Sequence, residues 1–249
     1  MTRKAGLLAL TALAFATVAT AASAAEFVTN GGFEVTTLPI SAEIGGDFGN
    51  VQNAAGWTTD GYNFLFRAGD ADTVGATGSF GNLKLWGPGT GAANGLPASS
   101  PQGGNFIAAD PQFITDSIDQ VINGLTIGAN YNLSFYWAAA QQFGFDGDTT
   151  AGWNVSLGSQ THTTGAVANT NHGFVPWTLA NFSFTATAAT ETLSFLAIGG
   201  PSGGQPPFAL LDGVSLTNVG VPEPATWGLM ILGFGAVGAA VRRRRTLAA

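Results

Sequence analysis

Seventeen uncharged residues, Ala225 to Val241, followed at once by four arginines, Arg242 to Arg245, constrain this chain more than anything before them. As a helix rising about 1.5 Å per residue they extend about 25 Å, close to the roughly 30 Å hydrocarbon core of a bilayer. Trp227 suits one interface, and arginines whose stems lie along apolar surface reach the other. The arginine cluster predicts a cytoplasmic C-terminus and so places the globular part on the far side of the membrane. A buried core helix is the competing reading, and a cationic cluster ending the run with no domain after it argues against that.

The other end agrees. Arg3 and Lys4 precede an apolar stretch from Ala5 to Ala19, and Ala22-Ser23-Ala24 has the small residues of a cleavage site. Residues 1–24 therefore read as a secretory signal peptide, with an N-terminal membrane anchor as the alternative. The expected organisation is a signal peptide over 1–24, a body over 25–220 and a tail over 221–249, with a transmembrane helix at about 225–241.

The tail resembles the PEP-CTERM sorting signal in its variant with Trp three residues after the second proline. Pro222, Glu223, Pro224, Trp227, the segment Met230-Ile231-Leu232-Gly233-Phe234-Gly235 and the cluster Arg242, Arg243, Arg244 and Arg245 carry the likeness. The resemblance implies recognition by a membrane transpeptidase of the exosortase type. It also implies export across the inner membrane of a Gram-negative, exopolysaccharide-producing bacterium, transient anchoring, and then a place at the cell surface or outside the cell. Such tails are also known under an ice-binding label.

With the ends set aside, the charge balance shifts. The body holds fourteen of the fifteen acids but only Arg67 and Lys84 of the eight bases, a formal charge of about −12. That surface repels phosphate backbones, which argues against a nucleic-acid partner. The chain has no cysteine, so disulfides, thiolate metal sites and cysteine nucleophiles are excluded.

Short apolar or alternating runs separated by Gly, Asn, Asp and Pro mark the body as all-β. In Tyr131–Trp137, the residues Tyr131, Leu133, Phe135 and Trp137 fall on one face, the period of a half-buried strand. Phe182, Phe184 and Ala186 alternate in the same way, as do Leu193, Phe195 and Ala197, and Phe208 to Thr217 forms a last strand with weaker alternation. Phe27–Thr29, Phe33–Val35, Phe64–Phe66, Leu83–Trp86, Asn105–Ala108 and Ser117–Ile122 are candidate strands. The stretch Gly87 to Gly104, with six glycines and three prolines, reads as a binding loop or a mobile excursion. Strands at this spacing without intervening helices predict one β-sandwich.

Four landmarks resemble galactose-binding-like jelly rolls, the architecture of many carbohydrate-binding modules: Asn30-Gly31-Gly32-Phe33-Glu34, Gly56-Trp57, Gly103-Gly104-Asn105-Phe106-Ile107-Ala108 and Leu210-Leu211-Asp212-Gly213-Val214. The resemblance implies one structural calcium near Glu34 and Asp212, although the first motif here has an extra glycine. Two converging carboxylates suit a hard cation completed by backbone carbonyls, such as those of Asn30 or Gly32. The competing reading is that each carboxylate binds loop amides.

No catalytic set emerges. Gly200-Pro201-Ser202-Gly203-Gly204 fits the nucleophile pattern of hydrolases, but Gln205-Pro206-Pro207 cannot start the helix that must follow. Gly233 to Gly238 fits a dinucleotide fingerprint with no strand before it. His162 and His172 have no acidic neighbour in sequence, and Asp70/Asp72 and Asp146/Asp148 read as solvated loop pairs. A glycosidase built on two carboxylates distant in sequence is the enzymatic alternative.

Aromatic side chains remain. The apolar faces of sugar rings pack on flat aromatic surfaces while amides and carboxylates meet the hydroxyls. Trp57, Tyr62, Trp86, Tyr136, Trp153 and Trp177 are the rings to weigh; Trp137 shares the core face of its strand. Tyr136, facing away from that core and followed by Gln141 and Gln142, is the first candidate for a glycan site, and Trp86 at the mouth of the Gly/Pro-rich stretch the second. The expectation is a non-enzymatic exported surface or matrix protein associated with exopolysaccharide. A structural or adhesive envelope protein without a glycan site is the alternative, and an ice-binding surface protein a third.

Overall fold

The structure, a computed structural model, describes residues 24–45, 54–201, 205–219, 228, 230–237 and 242. Residues 1–23 of the signal peptide, Pro222, Glu223, Pro224, Trp227 and Arg243 to Arg245 lie outside the described residues. Residues 230–237 are helical, with Met230, Ile231, Leu232, Phe234 and Val237 exposed. Among the described residues no helix is long and apolar enough to cross a membrane; much of the span expected over 225–241 falls outside them.

Thirteen strands occupy the described body: β1 Ala42–Ile44, β2 Asn63–Phe66, β3 Ala76–Gly78, β4 Gly81–Leu83, β5 Phe106–Ala109, β6 Ile118–Asn123, β7 Asn130–Gln141, β8 Thr149–Leu157, β9 Gln160–Thr163, β10 Val167–Asn169, β11 Val175–Thr185, β12 Thr190–Gly200 and β13 Pro207–Asn218. They make an all-β sandwich. One sheet runs β11-β7-β13-β5-β2-β1-β3-β4 and the other β10-β8-β12-β6, with β9 paired to β8. From β5 to β8 and again from β11 to β13 the chain steps between the sheets at each strand, the path expected of a jelly roll.

Period two fills the space between the sheets. Leu133, Phe135 and Trp137 of β7, Trp153, Val155 and Leu157 of β8, and Leu193 and Phe195 of β12 meet in one apolar cluster. Strand β13 alternates less cleanly for a physical reason. Ala209 and Leu211 face that core, a bulge intervenes between Asp212 and Ser215, and the inward set resumes one position out of phase at Val214 and Leu216. Gly213, at φ 60, supplies the left-handed residue the bulge requires.

The large sheet also buries its outer face. Phe64, Phe66, Phe106, Ala138, Ala140, Phe208 and Leu210 point away from the sandwich core and pack with Leu83, Leu85 and Leu96 into a second cluster. The stretch 87–104 therefore corrects the expectation of a mobile excursion: it covers the sheet. Its own Leu96 is buried in that cluster, and its Asn94 amide donates to the carbonyls of Trp86 and His172, each at 2.9 Å.

Three expected strands do not form as such: Leu83–Trp86 gives only Leu83 to β4 and a single bridge from Leu85 to Gln142, and two more are absent. Phe27–Thr29 makes no ladder, only the adjacent single bridge of Glu26 to Thr217. Phe33–Val35 follows a tight turn with Asn30 at φ 54 and Phe33 at φ 57, in which the Asn30 side chain accepts from the Val35 amide at 2.9 Å. Phe33 is still fully buried in the core.

Candidate functional site

Antiparallel order brings the C-terminal ends of β5 and β7 and the N-terminal ends of β2 and β13 to one end of the large sheet, on four adjacent strands. A cleft of about 480 Å³ opens there, within the range of pockets that hold small ligands. Tyr62 precedes β2 and Asp110 follows β5, joined by a bond from the Asp110 amide to the Tyr62 carbonyl at 3.3 Å. Gln142 follows β7 and Pro206 precedes β13, joined in the same way at 3.2 Å. Phe80 from the β3–β4 turn, Gln112 and Phe113 beyond β5, Phe145 beyond β7, and Pro201 and Gln205 between β12 and β13 form the walls.

The aromatic wall is edge-to-face throughout. Tyr62 meets Phe113 at 5.1 Å and Phe80 at 5.9 Å between ring centroids, and Phe80 meets Phe113 at 5.3 Å, a geometry that ring quadrupoles favour. Phe80 and Phe113 are nonetheless 61% and 43% exposed, so flat apolar area faces the cleft and solvent.

Asp110 is the cleft's charged group and is only 2% exposed. Its Oδ1 accepts from the amides of Gln112 at 2.7 Å and Phe113 at 3.2 Å. Burial pushes its carboxyl up to about 6, against the lowering effect of those two bonds. Burial, then the charges of Glu43 and Asp110, push the Tyr62 phenol up to about 12, so the hydroxyl stays a neutral donor and acceptor.

Of the residues the sequence singles out for a glycan site, Gln142 lines this cleft, and Gln141 and Trp86 stand behind it. The Trp86 indole N–H donates to the Phe145 carbonyl at 2.9 Å, and its ring stacks on His172 at 3.7 Å. Gln141 is fully buried. Its amide donates to the carbonyls of Phe145 at 3.3 Å and Gly147 at 3.1 Å and accepts from the His172 amide at 2.8 Å. Gln141 thus has no polar group to offer a ligand; with Trp86 it holds the loop that carries Phe145. Tyr136 is half-buried on the outer face of β7, opposite Asp212, and five residues of strand, about 17 Å, separate it from Gln141. The structure does not bring these four residues together.

Both histidines have structural partners. His172 pairs with Asp146 at 2.6 Å, the acidic partner that lies 26 residues away in sequence. His162 on β9 stacks on Phe182 of β11 at 5.1 Å and bonds the Ser183 carbonyl, linking the edges of the two sheets. Asp70, Asp72 and Asp148 accept bonds from Ser41, Gly89 and Asn171, so these carboxylates are loop struts.

Glu34 and Asp212 do approach one another. A Cβ placed on Gly32 would lie 3.9 Å from both Asp212 Oδ1 and Glu34 Cγ. Asp212 is fully buried on β13, taking bonds from Ser100 Oγ and, at 2.7 Å, from the Gly213 amide. Burial and then the charge of Glu34 push its carboxyl up to about 7, outweighing those two bonds. Glu34 is exposed, and its Oε1 accepts from the Asn105 amide at 2.7 Å. Glycine is required around this seam. A Cβ on Gly31 would fall 1.8 Å from the Val214 carbonyl oxygen, and one on Gly104, at φ 70, 1.7 Å from Glu34 Oε1. The Asn30 carbonyl already accepts from the Phe33 amide and the Trp57 indole. Among the described residues no group of three or more acidic, histidine or cysteine side chains converges, so a cation here would draw most of its ligands from backbone and water.

Residues 220–245 match the PEP-CTERM protein-sorting motif; the chain carries a signal of the kind that exosortase-type systems process. No curated protein matches the chain. Among solved structures, a family 61 carbohydrate-binding module in complex with β-1,4-galactotriose is similar at 16% identity and TM-score 0.38, over 78% of this chain and 99% of that one. A xylan-binding domain from Paenibacillus barcinonensis is similar at 10% identity and TM-score 0.34, over 76% and 99%. A cleaved adhesin domain of Lys-gingipain from Porphyromonas gingivalis is similar at 11% identity and TM-score 0.38, over 73% and 98%. At such scores these likenesses add nothing to what the sandwich itself says.

Proposed function

We propose that this is an exported, exosortase-sorted surface or matrix protein that binds glycan, without turning it over, through the cleft at the end of β2, β5, β7 and β13. The observation that carries the reading is the juxtaposition of exposed aromatic faces, Phe80 and Phe113, with a buried carboxylate, Asp110, and the amides of Gln112, Gln142 and Gln205. Sugars need this combination: apolar faces for C–H surfaces and fixed polar groups for hydroxyls. Asp110 is the only carboxylate among the described residues that line the cleft, whereas hydrolysis of a glycosidic bond calls on two.

The exposed apolar side chains of the helix at 230–237 support membrane insertion of the tail before processing. The signal peptide over 1–24, the Gram-negative envelope and exopolysaccharide as the natural ligand belong to the same reading. One calcium ion at Glu34 and Asp212 completes it, tying the Asn30–Glu34 turn to the bulge of β13; a hard cation would replace the proton that burial otherwise favours on Asp212. Calorimetry of the full chain against a panel of soluble polysaccharides, with calcium and with chelator, tests the reading. Saturable binding that Phe113→Ala weakens supports it. Absence of binding across the panel favours the alternative, an envelope spacer or adhesive unit with no glycan site.

A further inference from the structure

We propose that the cleft selects uncharged glycans and turns away those bearing carboxylate, sulfate or phosphate groups, with Asp110 as the discriminating residue. This rests on the glycan-binding reading of the cleft and names its ligand class.

Three observations carry it. First, the described lining residues include no cation: they are aromatic, proline and glutamine side chains around one aspartate. The two basic residues of the body are placed elsewhere. Arg67 donates from its guanidinium to the Leu38 carbonyl at 2.5 Å, and Lys84 lies beyond the end of β4 outside the lining. Second, Asp110 is 2% exposed and its Oδ1 accepts from two backbone amides, which fixes the carboxylate in the lining of the cleft. A sugar hydroxyl can donate to a carboxylate fixed in this way, while an anionic substituent cannot. Third, the groups around Asp110 reinforce the sign. Tyr62 feels the negative charges of both Glu43 and Asp110, and the Gln112 side chain, which donates to the Gly199 carbonyl, adds only a neutral amide. An anionic sugar would meet a like charge in a site from which water is partly excluded, which disfavours it strongly.

The test uses the full chain in a zwitterionic, sugar-free detergent at pH 8, where Asp110 is ionised. Laminarin, xylan and β-1,4-galactan are titrated by calorimetry beside partially C6-oxidised laminarin and galactan, which carry uronate groups on the same backbones. The expected result is that at least one neutral polymer binds and its oxidised partner binds at least about tenfold more weakly. Asp110→Asn keeps an oxygen for the two backbone amides and removes the charge. It should weaken neutral binding and shrink the discrimination to less than about threefold, with an unchanged unfolding temperature as the check on folding. Oxidised polymers binding as tightly as neutral ones to the wild-type chain, or an unchanged ratio in folded Asp110→Asn, would overturn the inference while leaving glycan binding intact. If no polymer of either kind binds, the glycan-binding reading falls and takes this inference with it. The wild-type ratio decides the matter even if the variant does not fold.

Discussion

The cleft and the seam each set a buried aspartate against backbone amides on the large sheet, and they differ in what stands beside the carboxylate. In the cleft, Asp110 is held through Oδ1 by the Gln112 and Phe113 amides and sits beside aromatic rings that are half open to solvent. At the seam, both oxygens of Asp212 are held, by Ser100 and Gly213, and a second carboxylate, Glu34, stands close by. The difference teaches that burial of a carboxylate is not by itself a functional sign. A fixed carboxylate among exposed rings suits a ligand's hydroxyl, whereas a carboxylate bonded through both oxygens and facing another marks a place where a proton or a cation holds two segments together.

The comparison predicts separable effects. The largest belongs to Gly31→Ala, whose Cβ would collide with the Val214 carbonyl; chemical denaturation should show a loss of about 3 kcal/mol, with glycan affinity of the surviving folded fraction unchanged. Next comes pH. Folded Asp212 keeps its proton up to about 7, while an unfolded aspartate releases its proton near 3.9. Between those values the native state binds more protons, so in chelator stability should fall as pH rises from about 4 to about 7, by an amount on the order of 3 kcal/mol. Asp110, raised to about 6, adds a smaller fall of the same sign over pH 4 to 6. Asp212→Asn should flatten most of this slope and abolish any stabilisation by calcium. A slope that survives in Asp212→Asn would remove the seam's role.

Smaller effects distinguish the cleft from its surroundings. Phe113→Ala should weaken glycan binding about tenfold while changing stability by no more than about 1 kcal/mol, since the ring is 43% exposed. Tyr136→Phe, about 17 Å along β7 from Gln141, should leave glycan affinity within about twofold. A loss of binding in Tyr136→Phe with binding preserved in Phe113→Ala would move the site from the cleft to the seam.

Much of the sandwich is legible in the sequence because strands with one dry face alternate, as Tyr131–Trp137 and Leu193–Ala197 do. The phase of β13 is not, because the bulge at Gly213 moves the inward set from Ala209 and Leu211 to Val214 and Leu216. Strand β8 escapes notice although Ala151, Trp153, Val155 and Leu157 are all inward. Two threonines open it and Gly152 interrupts it, and that glycine is there because a side chain would strike the Gly165 carbonyl at 2.0 Å. Glu34 and Asp212 are recognisable from short motifs, and the structure brings them to one seam. The cleft was beyond reach because its lining comes from segments scattered between residues 62 and 206, brought together only by the strand order β7-β13-β5-β2. Two signals were present: Tyr62 among the candidate rings, and Asp110-Pro111 closing a strand, where an aspartate readily accepts from amides two and three residues on.

The central claim, that glycan is held at the cleft and not at the seam, is tested most directly by following backbone amide resonances of the isotopically labelled full chain while a neutral oligosaccharide is added. The account predicts saturable shifts concentrated at Tyr62, Phe80, Asp110, Phe113 and Gln142, with those of Gly32, Glu34, Tyr136 and Gly213 unmoved. Shifts centred on Tyr136 and Gly213, or none at saturating sugar, would contradict it.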